Sequence, residues 1–377
     1  MAFKMTPINT IIIGGGLSGL YTAMRLHALN IPFLLLEAKS TLGGRISSKP
    51  TLGDVSLSVD LGPTWFWPHQ TRMRALTSEL KLDYFEQYTA GDVLYQLSAE
   101  LPPTRSRGAG ALQSYRIQGG MQNIINALAN NTSADSIKMS HPVTGVEYRN
   151  KQWLVSVENS GQNAAHHKQN NAGDERLFCA KNLIMAVPPR QIINYLTPKK
   201  YLSPKLIAAL SSTQTWMSAQ AKFVAVYQTP FWREQGLAGQ AFSKIGPMVE
   251  IHDACATPKQ GFALFGFIGI PSTMRKKITT EDLNTACIEQ LVALFGSAAK
   301  KPKVSYLTDW AIDKYVATEQ DLTELPRQAG FSIQRHQQEL KSLNLYLSAS
   351  EVSPSEAGYL EGALCAADQV IKQLVKP

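Results

Sequence analysis

Apolar and polar positions along this chain switch repeatedly between two periods, and the first forty residues show the change most sharply. Residues 8–13 form a short apolar run of the kind buried on both faces of a sheet. Gly14-Gly15-Gly16-Leu17-Ser18-Gly19 interrupts it, and Leu17, Leu20, Tyr21, Met24 and Leu26 then recur at helical spacing. A second buried strand follows at 33–36 and ends in Glu37 and Ala38. Further helical periods are predicted at 70–82, around Ile124, Ile125 and Leu128, and at 203–210, 280–294 and 356–376. Strand-like runs are predicted at 84–88, 93–97, 219–228, 248–252, 261–270, 304–310 and 345–349. Residues 143–187 read as a three-stranded excursion (143–148, 153–157 and 177–187) with a polar connection at 160–175. Residues 102–110 read as a loop, and Pro188-Pro189 as the end of the excursion and a crossing between domains.

This order predicts an α/β fold (α+β overall). A Rossmann-like dinucleotide-binding domain would take 1–75, 113–190 and 318–377, and an inserted mixed-sheet domain would take 76–112 and 191–317. At 377 residues the chain is long enough to give each a core of its own.

The glycine turn carries chemistry because each position has a separate mechanical task. Gly14 turns the chain sharply out of the strand, Gly16 lets backbone approach a pyrophosphate, and Gly19 lets the helix pack close to the sheet. The N–H groups of Leu17, Ser18 and Gly19 open the helix, where free donors and a partial positive charge favour phosphate. Glu37, closing the next strand, is placed to accept hydrogen bonds from a ribose diol.

Composition narrows the field. The net charge of +8 is distinctly basic, yet Lys and Arg are scattered. The densest groups, Lys199-Lys200, Arg275-Lys276-Lys277 and Lys300 to Lys303, are short, so the pattern reads as a solvated basic surface and not as a nucleic-acid reader. Cys179, Cys255, Cys287 and Cys365 lack metal-ligand or Cys-x-x-Cys spacing, which points to free thiols in a reducing cytoplasm. His166-His167 has no carboxylate or cysteine nearby, and no metal is expected. The early apolar stretch belongs to the strand-turn-helix pattern, not to a signal peptide, and no later run is long enough for a bilayer.

Five landmarks then occur in a fixed order: Gly14 to Glu37; Leu42-Gly43-Gly44-Arg45; Asp60 to Trp65; Ala221-Lys222-Phe223 with Pro230-Phe231-Trp232; and Ser348 to Ala363. In these the chain resembles the flavin-containing amine oxidases, the group of monoamine, polyamine and L-amino-acid oxidases. The resemblance implies FAD, with the Rossmann-like domain as its binding domain. Gly43 and Gly44 would let backbone approach the flavin end, and Arg45 would contact phosphate or ring, the alternative being an ordinary surface arginine. Gly62, Pro63 and Thr64 would form the turn beside the isoalloxazine, and the backbone of Val143 would meet adenine. Glu351, in Ser348-Ala349-Ser350-Glu351, would bond the ribityl or pyrophosphate region although Ser348 and Ala349 depart from the family's Ala-Gly. The helix opening near Gly358 would face the flavin's pyrimidine edge.

Two residues are implied to be catalytic. Lys222, in an otherwise apolar strand, would hold a water against flavin N5; the alternative is the exposed face of an edge strand. Tyr359 would be one aromatic wall of an amine-orienting cage. Trp65, Trp310 and Gln320 are the expected substrate-side residues, with core packing an equal account of Trp310 and with Gln320 leaving the second wall non-aromatic. Ala357-Gly358 stands where a covalent cysteine would be needed, so FAD should be non-covalent. The segment between Thr71 and Ser114 is short for the family and implies an open roof. The implied reaction is hydride transfer from the α-carbon of a small-molecule amine, giving an imine, with O2 as electron acceptor and hydrogen peroxide as product. A desaturase or protoporphyrinogen-type oxidase, or a non-catalytic FAD-binding protein, is the alternative, and a homodimer stays open.

Overall fold

The computed structural model describes residues 7–375 apart from 52–53, 109–111, 159–175, 196–200, 326, 328–329 and 331. His166-His167, Lys199-Lys200 and the whole polar connection at 160–175 lie outside the described residues. The chain forms two compact units: Met1–Gly44, Ile125–Trp216 and Leu325–Pro377 in the first, Arg45–Ile124 and Met217–Glu324 in the second.

The first unit is built on a seven-stranded sheet. Ile8–Ile13 lies at its centre, parallel to Phe33–Leu36 on one side and Arg176–Met185 on the other. Parallel neighbours need a crossover, and the helix Leu17–Ala28 supplies it. Leu345–Leu347 runs parallel to the end of Arg176–Met185, while the hairpin Val143–Arg149 and Gln152–Val157 extends the sheet antiparallel. Ile11, Leu36, Leu183, Met185 and Trp153 share one core with Ile192, Leu206 and Leu210 of the helices Pro189–Tyr195 and Pro204–Ser212. Pro189 therefore opens a helix, where its missing N–H costs nothing, and the chain leaves this unit only after Trp216.

The second unit carries a mixed seven-stranded sheet in the order Val304–Asp309, Ala221–Val226, Ala263–Ile268, Met248–Asp253, Leu237–Ser243, Asp92–Gln96, Thr104–Arg107. Only the pair Leu237–Ser243 and Asp92–Gln96 is parallel. The helix Thr280–Phe295 buries Leu283, Cys287, Leu291 and Leu294 against the core that Phe223 and Leu264 share. The loop expected at 102–110 contains the edge strand Thr104–Arg107, whose four residues are all exposed and so show no apolar period. A further hairpin pairs Ser48–Thr51 with Asp54–Asp60, and Tyr306 Oη donates to Pro50 O at 2.7 Å and ties it to the sheet of this unit. These packings put the unit edges at 44, 124, 216 and 324, whereas the sequence pattern put domain edges at 75, 112, 190 and 317. No helix among the described residues is long and apolar enough to cross a membrane.

Candidate active site

In the first unit the two glycine turns come together. Gly14 has φ +108°, and a Cβ there would stand 2.7 Å from Ala186 O; a Cβ on Gly19 would collide with Gly14 O. Both glycines are thus required by the fold itself. Gly16 differs: a Cβ would meet nothing in the chain nearer than Gly43 O at 3.7 Å. Its bareness serves an approach from outside. Gly43 N donates to Gly15 O at 2.9 Å, and Gly16 and Gly43 form a parallel bridge. Gly16 also caps Leu17–Ala28 with no side-chain hydrogen bond, so nothing in the cap competes with a phosphate for the helix's first N–H groups. Bare backbone and uncapped donors fit the pyrophosphate of a dinucleotide.

Glu37 is buried, and its two oxygens accept from Gly15 N at 2.7 Å and Lys39 N at 2.8 Å. It braces the turn as well as ending the strand beside half-buried Ala38. Its carbonyl accepts from His141 N at 2.8 Å, which brings buried Val143, two residues on, to the same edge.

The C-terminal block of this unit meets a partner, Trp216, that no period in the sequence announces. Glu351 is fully buried; one oxygen accepts from Trp216 N at 3.1 Å and the other from Ser350 Oγ at 2.9 Å. Trp216 also lies 5.8 Å from the Tyr359 ring, tilted by 46°, and a Cβ on Gly358 would stand 2.6 Å from its Cγ. Ser348, the departure at the start of the block, meets Ser18 Oγ at 2.7 Å and so links the end of the last strand to the helix Leu17–Ala28. The helix itself begins at Leu360, not at 356.

The second unit gathers Gly62, Pro63, Thr64, Trp65, Lys222 and Trp310. Gly62 cannot be another residue on this path, since a Cβ would collide with Arg45 O; the Arg45 side chain is half-buried. Lys222 is no edge lysine. Its strand has partners on both sides and is buried throughout, and the side chain is 2 % exposed. Lys222 Nζ donates to Gly62 O at 3.1 Å and to Thr64 Oγ1, and sits 3.9 Å from the centre of the Phe265 ring. Trp65 packs on Phe265 at 5.5 Å, and Trp310 Nε1 donates to Leu61 O at 3.3 Å. Burial pulls Lys222 down from its ordinary 10.5 to about 7, opposed by Asp60 and reinforced by Arg116. The carboxyl of Asp60 is pushed up by burial, against the pull of Arg116. Gln320 does not join this group: it is exposed near the start of the short helix Glu319–Thr323 and bonds Glu324 at 2.7 Å.

The family profile described as flavin containing amine oxidoreductase matches residues 81–371, and that of an NAD(P)-binding Rossmann-like domain matches 12–80. Putrescine oxidase of Kocuria rosea is 22 % identical over 81 % of this chain and 83 % of its own length. The solved structure of a wild-type putrescine oxidase bound to putrescine has the same fold, with a TM-score of 0.78 at 17 % identity over 99 % of this chain and 100 % of that one. A putative protoporphyrinogen oxidase from Exiguobacterium sp. 255-15 also shares the fold, with a TM-score of 0.71 at 12 % identity over 99 % and 100 % of the two chains.

Proposed function

The chain belongs to the flavin-containing amine oxidoreductase family, and from that premise we propose that it is an FAD-dependent oxidase of a small amine, with FAD held non-covalently and O2 as the electron acceptor. When bound, the flavin would supply the redox chemistry, as acceptor of a hydride equivalent from the carbon beside the amine nitrogen, with O2 as the final acceptor and hydrogen peroxide as its product. The substrate leaves as an imine and hydrolyses in water to a carbonyl compound.

The observation that carries this reading is Lys222, a fully buried amine fixed to the Gly62–Thr64 turn by two hydrogen bonds and titrating at about 7. A lysine in such a strand is costly to the fold, and a role in the reaction would account for its being there. In its neutral form, about half of the population at pH 7, it can accept as well as donate a hydrogen bond, which suits holding a water against the reacting centre. Gly14, Gly16 and Gly19 with the N-terminus of Leu17–Ala28 would hold the pyrophosphate. Gly43, Gly44, Arg45 and Glu351 would hold the flavin half, and Glu37 and Val143 the adenosine half. Tyr359, buttressed by Trp216, would orient the neutral amine. The non-covalent attachment is supported at Gly358: a cysteine side chain there would run into the Trp216 ring. Cys365, further along, is buried and receives a hydrogen bond from Ser355 Oγ at 3.6 Å. Four buried free thiols suit a reducing compartment such as the cytoplasm.

One observation favours a second reading. The position expected to face Tyr359, Gln320, is turned to solvent, and an enzyme without a paired aromatic cage could instead dehydrogenate a C–C or C–N bond. The test is direct. Purified protein should be yellow, release FAD on denaturation, bleach anaerobically with putrescine or another small amine, and form peroxide on readmitting air. Yellow protein that no amine bleaches would favour the second reading, and protein that cannot be loaded with FAD would overturn both.

A further inference from the structure

Asp60, Arg116 and Lys222 form a buried cluster of charge that the proposed chemistry leaves partly unexplained. Each is 2 % exposed, and they come from three different strands of the second unit. Asp60 Oδ1 accepts from Ser48 Oγ at 2.6 Å and from Met121 N at 2.8 Å. Its Oδ2 makes no hydrogen bond and faces Arg116 Nη2 across 3.8 Å. Arg116 Nη2 donates to Ala254 O at 3.3 Å, while Nε and Nη1 have no hydrogen-bond partner. The pair is thus held by charge across a gap, not by a bidentate fork. Lys222 feels both: Asp60 favours its ammonium and Arg116 opposes it.

Two cations and one anion share this interior. Burial penalises any charge left uncompensated, and one carboxylate can compensate only one cation. The guanidinium cannot surrender its proton within the ordinary pH range, whereas a lysine can. We propose that Arg116 and Asp60 are positioning residues acting on Lys222 in opposite senses: burial already disfavours the ammonium, Arg116 adds to that penalty and claims the carboxylate, and Asp60 offsets it. The proposal rests on the reading that Lys222 serves the reaction.

Other groups around Lys222 are neutral or already engaged. Its register partners on the two flanking strands are Phe267 and Thr308. His252 lies one ring away, stacked on Phe265 at 5.4 Å, and is paired with Glu250 at 2.6 Å. Asp309, opposite Ala221, is bound to Arg275. The Gly62–Thr64 turn contributes a carbonyl and a hydroxyl.

The test is a titration of Lys222 in FAD-loaded protein, followed by the 13Cε signal of labelled lysine and assigned by its loss in Lys222→Met. The midpoint should lie near the 7 given by burial. Arg116→Gln should move it up by about one pH unit, and Asp60→Asn should move it down by about as much. Asn retains an oxygen for Ser48 and Met121, so the second variant keeps the local bonds. The double variant should return the midpoint toward the wild-type value and also covers the case in which a single variant fails to fold. The pH profile of flavin reoxidation should shift in the same senses. Shifts of one sign in both single variants, or none, would overturn the proposal, as would opposite NMR shifts with an unmoved reoxidation profile. Loss of amine bleaching alone, with the opposite NMR and reoxidation shifts intact, would strike the amine reading and leave this one standing.

Discussion

Replacing Lys222 with Met should change stability by an amount that depends steeply on pH. In the unfolded chain the lysine titrates at its ordinary 10.5, and in the fold at about 7. Above 10.5 both states hold the neutral amine and the group costs nothing by ionisation. As pH falls from 10.5 toward 7 the unfolded chain takes up a proton that the fold refuses, and stability is lost across that window. The full loss, reached below 7, corresponds to about 5 kcal/mol at 1.36 kcal/mol per pH unit. At pH 9 only about 2 kcal/mol of it has been lost, and at pH 6 nearly all of it. Met has similar length and no charge, so the variant should gain on the wild type by about 3 kcal/mol more at pH 6 than at pH 9. The hydrogen bonds forfeited at Gly62 O and Thr64 Oγ1 subtract a similar amount at both pH values and leave this difference nearly untouched. Urea unfolding of both proteins at both pH values, with m-values checked for constancy, measures it. An equal gap between variant and wild type at pH 6 and pH 9 would refute the reasoning, because Lys222 would then carry its proton equally in both states.

Three further outcomes follow from the sites. Lys222→Met should retain FAD but slow reoxidation of reduced flavin by O2 on the order of tenfold or more, read by stopped flow; unchanged reoxidation would remove Lys222 from that role. Gly19→Ala must displace Gly14 O and so distort the phosphate turn, and FAD retention measured by flavin fluorescence should weaken about tenfold or more; full retention would mean the turn binds no phosphate. Trp216→Leu removes the ring that packs on Tyr359, and should raise KM for the amine several-fold, about 1 kcal/mol, with FAD still bound; an unchanged KM would leave Tyr359 without need of its buttress.

What could be read in the sequence was what local chemistry dictates. The strand-turn-helix at Ile13 to Leu17 and the unusual burial of Lys222 both announce themselves, the first by glycine spacing and the second by an ammonium among apolar neighbours. Partners were harder. Arg116 sits in the three-residue strand Tyr115–Ile117, too short to show a period, and its effect on Lys222 exists only once remote strands meet. Trp216 lies among Thr, Ser and Gln residues, where a lone aromatic has no pattern to place it. The edge strand Thr104–Arg107 is polar on both faces, so it lacks the alternation that marks a half-buried strand. Gln320 did have a usable signal: Thr318 and Asp321 form a capping box that starts a helix there.

The buried charge cluster is poorly explained by stability. An apolar set of the same volume would often serve the fold as well or better, and Asp60 Oδ2, Arg116 Nε and Arg116 Nη1 each leave a hydrogen bond unmade, at about 1–3 kcal/mol apiece when a group has no partner. Its placement explains more. Asp60 anchors the start of the turn through Ser48 and the N–H of Met121, and Lys222 clamps its far end at Gly62 O and Thr64 Oγ1. Between them, the contact of Gly62 with Arg45 O admits no side chain, so the backbone has one path. A proton gained or lost at Lys222 changes the donors available to a carbonyl and a hydroxyl of that same fixed turn. The cluster therefore couples the charge of the buried amine to a turn that its own members hold by hydrogen bonds at both ends.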